Sequence, residues 1–68
     1  MKTQTKIIEL IGSGLSEAEI GRMAEKHGTP VSQPTVNRIK LGIIADPKES
    51  VCMVIDSIHR NHFDLQAA

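Results

Sequence analysis

Aromatic side chains are almost missing from this chain: Phe63 is the only one, and neither tryptophan nor tyrosine occurs. β-Sheets draw heavily on aromatic and β-branched residues, so a core built from isoleucine, leucine, valine, methionine and alanine favours helices packed on helices. With 68 residues, the chain has room for one small domain and a core of limited size. We therefore expect a single all-α domain over residues 1–68.

Cysteine is also scarce, and the single Cys52 cannot form a disulfide within the chain. No apolar run reaches the length of a membrane-spanning helix, and no secretory leader follows Met1 and Lys2. We expect an intracellular, cytoplasmic protein that does not engage membranes, with Cys52 reduced and buried.

A surplus of charge is missing as well, because eight lysine and arginine residues balance eight aspartate and glutamate residues. Most proteins that bind a duplex are basic, so this balance counts against nucleic acid as a partner. The distribution is uneven, however: between Val31 and Ala45 the only charged residues are Arg38 and Lys40. That stretch is locally basic within a neutral chain.

The sequence does not contain the residue patterns that are usual for catalytic or metal sites. The segment Gly12-Ser13-Gly14 is too short for a phosphate-binding loop, and no base is placed by the sequence to activate Cys52. A structural zinc site needs four ligands at paired spacings, which His59, His62 and Cys52 do not supply. We expect no enzyme activity, no metal, no cofactor and no small-molecule substrate.

The first half of the chain contains two predicted helices. Apolar residues within 7–11 recur at helical spacing after a polar start, and this pattern ends at Gly12-Ser13-Gly14. Ser16 can cap a second helix, with Glu19 completing a capping box, and Gly28 ends it. The residues predicted to line its inner face are Ile20, Met23, Ala24 and His27.

A third predicted helix spans residues 32–41. Ser32 is a suitable N-cap, Pro34 is tolerated in the first turn, and Gly42 is the stop. The residues predicted to face inward, towards Ile20 and the fourth helix, are Val36, Ile39 and either Leu41 or Ile43. The residues predicted to face outward are Gln33, Pro34, Thr35, Asn37, Arg38 and Lys40. Such a face, polar and basic without an acid of its own, is what a helix facing phosphates and base acceptors requires.

A fourth helix is predicted to start at Asp46-Pro47-Lys48-Glu49, with an acidic cap and proline at the first position. It carries Val51, Val54, Ile55 and Ile58 at core spacing. We expect it to fray near Asn61, and the tail 62–68 to form a short strand or a last helical turn. The expected fold is thus a compact bundle of four short helices, or five if the tail adds one. A candidate dimerisation patch, the C-terminal patch, consists of Met53, Phe63 and Leu65.

The segments LSEAEIGRMA and VSQPTVNRIKLG resemble the helix-turn-helix of the lambda-repressor-like family, which includes the Cro and repressor proteins of temperate phages. The resemblance covers most of residues 3–60. In that family a small residue lies where the two helices cross closely, a role that fits Gly21. The buried positions of the family's second helix correspond to Val31, Val36 and Ile39.

The connection between the two helices is longer here than the three or four residues usual in the family. In one alignment, Ile20-Gly21 occupies the position of the family's small residue in the first helix, so that this helix gains about a turn and ends at Gly28. Alternatively, Gly28 is the turn glycine and Ala24 takes the small-residue place. We favour the first alignment, because Leu15-Ser16 then starts the helix correctly.

The resemblance implies a transcriptional regulator of Cro or repressor type, acting on operator DNA at the nucleoid of a bacterial host cell. The family reads bases from the start of its recognition helix, which points to Gln33 for adenine and Arg38 for guanine in the major groove. The full set of candidate DNA-binding residues is Gln33, Pro34, Thr35, Asn37, Arg38 and Lys40. One such helix reads few base pairs, so a weak homodimer that joins two half-sites through the C-terminal patch is expected.

Two alternatives remain open. One is the helix-turn-helix domain of a recombinase or transposase, whose DNA-reading part looks similar; a chain with its own Met1 and no catalytic portion is expected to be the regulator instead. The other is a small helical module that binds protein, such as an anti-regulator, through the C-terminal patch. Retention on heparin or random duplex at low salt, lost on adding salt, separates DNA binding from protein binding.

Overall fold

Four α-helices and no strand make up the described part of the chain in a computed structural model, which gives the backbone of residues 1–67 and the side chains of residues 1–64. They are α1 (Thr3–Gly12), α2 (Glu17–Lys26), α3 (Gln33–Lys40) and α4 (Glu49–Ala67). Both α1 and α2 pack against α3 and α4. The predicted all-α bundle is confirmed, although α4 is a long helix of 19 residues. No helix in residues 1–67 has the length and apolar character needed to cross a membrane.

Local sequence determines how α2 and α3 begin and end. Ser16 Oγ accepts a hydrogen bond from the Glu19 amide, and the Ser16 amide donates to Glu19 Oε1, each at 3.1 Å, which is the predicted capping box. Ser32 Oγ caps α3 by accepting from the Thr35 amide at 3.4 Å. Gly28 and Gly42 follow the two helices with φ of 92° and 80°, a backbone conformation that residues other than glycine rarely adopt.

The core is aliphatic and lies where the four helices meet. Its buried members are Ile7, Leu10, Ile20, Ala24, Val31, Val36, Ile39, Val54, Ile55 and Ile58. Val36 and Ile39 are buried as predicted, and α3 packs on α2, the helix of Ile20, as expected; its other main neighbour is α1 and not the predicted α4. Burying aliphatic side chains of this size stabilises a fold by about 1.5 to 3 kcal/mol each. The inner face of α3 is therefore fixed, and so is the face that it turns outward.

Three predicted core positions are wrong. His27 is exposed because it is the C-cap of α2 and lies beyond the last full turn. Leu41 and Ile43 are 59% and 69% exposed. The amides of Ile43 and Ile44 both donate to the carbonyl of Arg38, at 2.9 and 3.3 Å, so the chain folds back after α3. As a result, Ile44 packs against the core in place of the two predicted residues.

The predicted limits of α4 also need correction. The Cys52 amide donates to the Lys48 carbonyl at 3.0 Å and the helix begins at Glu49, so Asp46 is not its cap. The helix does not fray near Asn61, because Phe63 packs against the core and prolongs the buried side of the helix. Of the two predicted forms of the tail, the helical one is found. Cys52 is free and only half-buried, with Sγ 3.6 Å from the Pro47 carbonyl oxygen.

A row of polar contacts joins α1 to α4. The pairs are Lys6 Nζ with Asp56 Oδ1 at 2.7 Å, Glu9 Oε1 with His59 Nε2 at 2.6 Å, and Ser13 Oγ with His62 Nε2 at 2.8 Å. Residue numbers rise together in the two helices, so α1 and α4 lie side by side in the same direction. The register of α4 on α1 is therefore specified by polar pairs as well as by the core.

Candidate nucleic-acid interface

At Gly21, α2 comes close to the segment that leads into α3. A Cβ atom at this position would lie only 2.8 Å from the carbonyl oxygen of Val31, so a larger residue would force the two segments apart. A Cβ at Gly28, in contrast, would meet nothing within 4 Å. A close approach is therefore found at Gly21, as predicted, but its partner is the Val31 carbonyl before α3 and not α3 itself.

The six candidate residues on the outer side of α3 differ in exposure. Those that are exposed are Gln33, Pro34 and Arg38. Those that are half-buried are Thr35, Asn37 and Lys40. Within residues 1–64, the side chains of Gln33 and Arg38 make no hydrogen bond or ion pair, so their donors and acceptors are available to a ligand.

Thr35 contributes to the start of α3. Its Oγ1 lies 2.8 Å from Ser32 Oγ, and its amide donates to the same oxygen. The Thr35 hydroxyl is thus engaged in the N-cap, which organises the first turn where α3 would meet a ligand.

Glu17, the first residue of α2, brings an acid onto the outer face of α3. Its Oε2 accepts a hydrogen bond of 2.8 Å from Asn37 Nδ2 and lies 3.2 Å from Lys40 Nζ. The Asn37 hydrogen bond, with help from Lys40, holds the pKa of Glu17 below its ordinary value of 4.5 despite the opposing effect of burial. The prediction of an acid-free face holds for the residues of α3 alone and is wrong for the assembled surface.

Sequence reasoning missed Glu17 because its partners lie twenty and twenty-three residues further along the chain. No local spacing connects an acid in the first turn of α2 with the middle of α3. The only available signal was the acid at a helix start, which the helix dipole explains without any partner.

The C-terminal end of α3 is held by a second residue that the sequence did not single out. Gln4 Nε2, in α1, donates to the carbonyl oxygen of Lys40 at 3.1 Å. A Cβ at Gly42 would come within 3.3 Å of the same amide group. Ser32 at one end and Gln4 at the other therefore satisfy backbone groups of α3 and fix its position.

An open groove of about 880 Å³ adjoins the N-terminal half of α3. Apolar residues on its walls are Val31, Ile39, Ile44 and Val51. Polar and charged residues on its walls include Arg22, Glu25, Ser32, Gln33, Thr35, Asp46 and Lys48. Arg22 and Lys48 make no ion pair within residues 1–64, whereas Lys6 is paired with Asp56.

The C-terminal patch is not assembled as predicted. Met53 is 63% exposed, but Phe63 is packed on the core and its ring lies 4.7 Å from that of His59 and 5.2 Å from that of His62. The side chain of Leu65 lies outside the described residues. Met53 is therefore the one member of the patch, among those described, that is available for a partner.

Among the described side chains, no group of three or more histidine, cysteine, aspartate or glutamate residues converges as a metal site would. Comparisons of the chain with family models, with curated proteins and with solved structures give no match. A function must therefore be inferred from α2, α3 and the residues around them.

Proposed function

We propose that the chain binds duplex DNA in a sequence-specific manner by placing the outer face of α3 in the major groove. The observation that carries this proposal is the exposed, unpartnered pair Gln33 and Arg38 on a short helix whose opposite face is buried. An α-helix fits the width of the major groove, and a rigidly held helix presents its side chains to base edges in a fixed register.

Gln33 and Arg38 have the chemistry for direct reading of bases. The carboxamide of Gln33 matches the N6 and N7 groups of adenine, and the guanidinium of Arg38 matches O6 and N7 of guanine. Because Gln33 opens α3 and Arg38 lies more than one turn later, the two side chains would contact different base pairs. Two such contacts make a half-site of a few base pairs.

The charge distribution supports DNA binding by a chain whose net charge is zero. Asp56 forms ion pairs with both Lys6 and Arg60, at 2.7 and 2.9 Å. Arg22 and Lys48, which share the groove with Gln33, have no such acid partner within residues 1–64. Two of the unpaired cations therefore lie beside α3, in a groove that also holds Glu25 and Asp46, and phosphate contacts of this kind orient a reading helix on the duplex.

The proposed biological role is that of a Cro-like or repressor-like regulator, which denies polymerase a promoter by occupying an operator. A weak homodimer would double the number of base pairs read. With Phe63 packed against the core, Met53 is the described residue of the C-terminal patch on which that dimer would depend. Met53→Lys is expected to abolish cooperative binding to a full operator without unfolding the chain, as measured by sedimentation and by binding to one and two half-sites.

Selection of bound sequences from random duplexes tests the proposed function. We expect enrichment of a palindromic site whose halves lie about one helical turn apart and contain the adenine and guanine read by Gln33 and Arg38. Affinity for the selected site should fall steeply as salt rises. A library that stays random after repeated selection would contradict the proposal.

Binding to a protein is the second candidate, favoured by the exposed Leu41, Ile43 and Met53 and by the apolar residues in the groove. A chain with this function would pass through heparin and random-duplex columns without retention at low salt. Salt-sensitive retention on both columns is the result expected for DNA binding.

A further inference from the structure

A single carboxylate is shared by two of the six candidate DNA-binding residues. Glu17 Oε2 accepts a hydrogen bond of 2.8 Å from Asn37 Nδ2 and forms an ion pair with Lys40 Nζ at 3.2 Å. The Glu17 side chain is 20% exposed and that of Lys40 is 31% exposed, so the cluster lies at the surface but is partly shielded from water. Glu17 comes from α2, so it can restrain side chains of α3 without itself belonging to the helix that enters the groove.

The contact with Glu17 fixes which way the Asn37 amide points. An ionised carboxylate only accepts hydrogen bonds, so the Asn37 atom facing it must be the nitrogen, and Oδ1 is left as an acceptor that Glu17 does not use. In the major groove, adenine and cytosine offer an amino donor, whereas guanine and thymine offer only acceptors and the thymine methyl group. The Oδ1 of an Asn37 held in this orientation can accept from the amino group of adenine or cytosine, whereas guanine and thymine offer it no donor.

The contact with Glu17 also changes the role of Lys40. Its ammonium group is already paired with Glu17, so a phosphate would have to compete with the Glu17 carboxylate for the Lys40 ammonium. The negative charge of Glu17 adds repulsion towards any phosphate nearby. Lys40 therefore contributes little to binding that is independent of sequence.

We propose that Glu17 is a specificity-determining residue of the DNA interface, which orients Asn37 for a base with an amino group and withholds Lys40 from phosphate. This inference rests on the proposed function, because it concerns what the same α3 face recognises. It adds to that function a residue on α2 that lowers non-specific affinity while it sharpens the choice of base.

The test compares the parent protein with Glu17→Gln, which keeps the size of the side chain and removes its charge. The variant should bind random duplex more tightly, and its plot of log affinity against log salt should be steeper by about one. At the base position read by Asn37, the parent should prefer adenine or cytosine by roughly tenfold, and this preference should nearly vanish in the variant. Asp64→Asn is the control: it removes one negative charge at an exposed residue of α4 that lies outside the groove and makes no hydrogen bond to α3, and its salt slope should equal that of the parent.

A double-mutant cycle isolates the contribution of Lys40. Lys40→Gln should change the affinity of the parent by less than about twofold, but it should cancel the steeper salt slope in the Glu17→Gln background. A second measurement needs no variant: the Asn37 side-chain amide protons should shift with pH along the Glu17 titration curve. Asn37 amide proton shifts that do not change over the pH range in which Glu17 titrates would overturn the inference.

The outcomes separate this inference from the proposed function. If the parent binds a selected duplex and Glu17→Gln matches Asp64→Asn in both salt slope and base preference, the inference is wrong and DNA binding stands. If the parent does not bind any duplex, the proposed function is wrong and the inference fails with it.

Discussion

Asn37 and Arg38 are adjacent in the chain and have opposite surroundings. Asn37 is half-buried and bonded to Glu17, whereas Arg38 is exposed and has no side-chain partner within residues 1–64. At the scale of single residues, the sequence correctly predicts Gln33 and Arg38 as outward: Arg38 lies on the side of the helix opposite Val36, and Gln33 is in the first turn, before the first buried residue. It does not predict that Asn37 and Lys40 are paired, because that depends on how α2 lies against α3.

Arg38→Ala is expected to weaken binding to the selected site by about 1 to 3 kcal/mol and to relax the preference at one base position, since a bidentate contact to guanine is lost. The fold should be unaffected, because the side chain is exposed. Binding isotherms for the selected duplex and for single-base variants measure both effects. Lys26→Ala, which removes another exposed cation from α2, is the control and should leave base preference intact.

Gly21→Ala is expected to destabilise the fold by about 1 to 3 kcal/mol, because its Cβ would lie 2.8 Å from the Val31 carbonyl oxygen and force α2 away from the connection to α3. Gly12→Ala provides the control, since nothing lies within 4 Å of a Cβ there. Urea unfolding of both variants measures the difference. Equal stability of the two would show that the close crossing at Gly21 is absent in solution.

At the scale of helices, the starts of α2 and α3 were predictable because Ser16, Glu19 and Ser32 cap within their own first turns. The end of α4 was not predictable from local pattern. It depends on Phe63 reaching the core, a contact made only when α4 lies along α1 and α2. Leu41 and Ile43 were misplaced for the same reason: the fold-back after α3 is set by bonds to the Arg38 carbonyl and not by helical period.

Truncating two apolar residues of α4 should change the stability of the fold by very different amounts. Phe63→Ala is expected to cost about 1 to 3 kcal/mol, less than for a fully buried phenylalanine, because the ring is only partly shielded. Met53→Ala should change stability by less than about 0.5 kcal/mol, because the side chain is largely exposed. Chemical denaturation monitored by circular dichroism gives both values. A larger loss for Met53→Ala than for Phe63→Ala would mean that α4 is rotated about its axis.

At the scale of the whole molecule, equal numbers of acids and bases conceal an ordered distribution. Asp56 is paired with Lys6 and Arg60 beside α1, and Glu17 is paired with Asn37 and Lys40 beside α3. Net charge alone argued against DNA binding, and composition cannot reveal which cations are already neutralised. The groove residues Arg22 and Lys48 gain their proposed role only once these pairs are known.

The pH dependence of stability should reflect the same two acids. The hydrogen bond from Asn37 lowers the pKa of Glu17, and the hydrogen bond from Lys6, assisted by Arg60 and His59, lowers the pKa of Asp56. Since the folded-state pKa values lie below the ordinary 4.5 and 3.8, both acids stabilise the fold fully above those values, and the stabilisation is lost as pH falls through the folded-state pKa.

Urea unfolding at a series of pH values should therefore show a free energy of unfolding that declines as pH drops below about 4.5, with Glu17 and Asp56 both contributing. Asp56→Asn should be less stable than the parent at neutral pH and should show a shallower decline in acid. A decline of the same steepness in Asp56→Asn and Glu17→Gln as in the parent would assign the acid sensitivity to other groups.

Chemical-shift mapping with a selected duplex tests the central claim, that the outer face of α3 reads DNA, more directly than any other measurement. Backbone amides of residues 32–40 and the side chains of Gln33 and Arg38 should shift most, with further changes at Arg22 and Lys48. The exposed side of α4 around Met53 should shift only if two copies bind together. Shifts confined to α4 or to the groove's apolar residues, with Gln33 and Arg38 unchanged, would contradict the account.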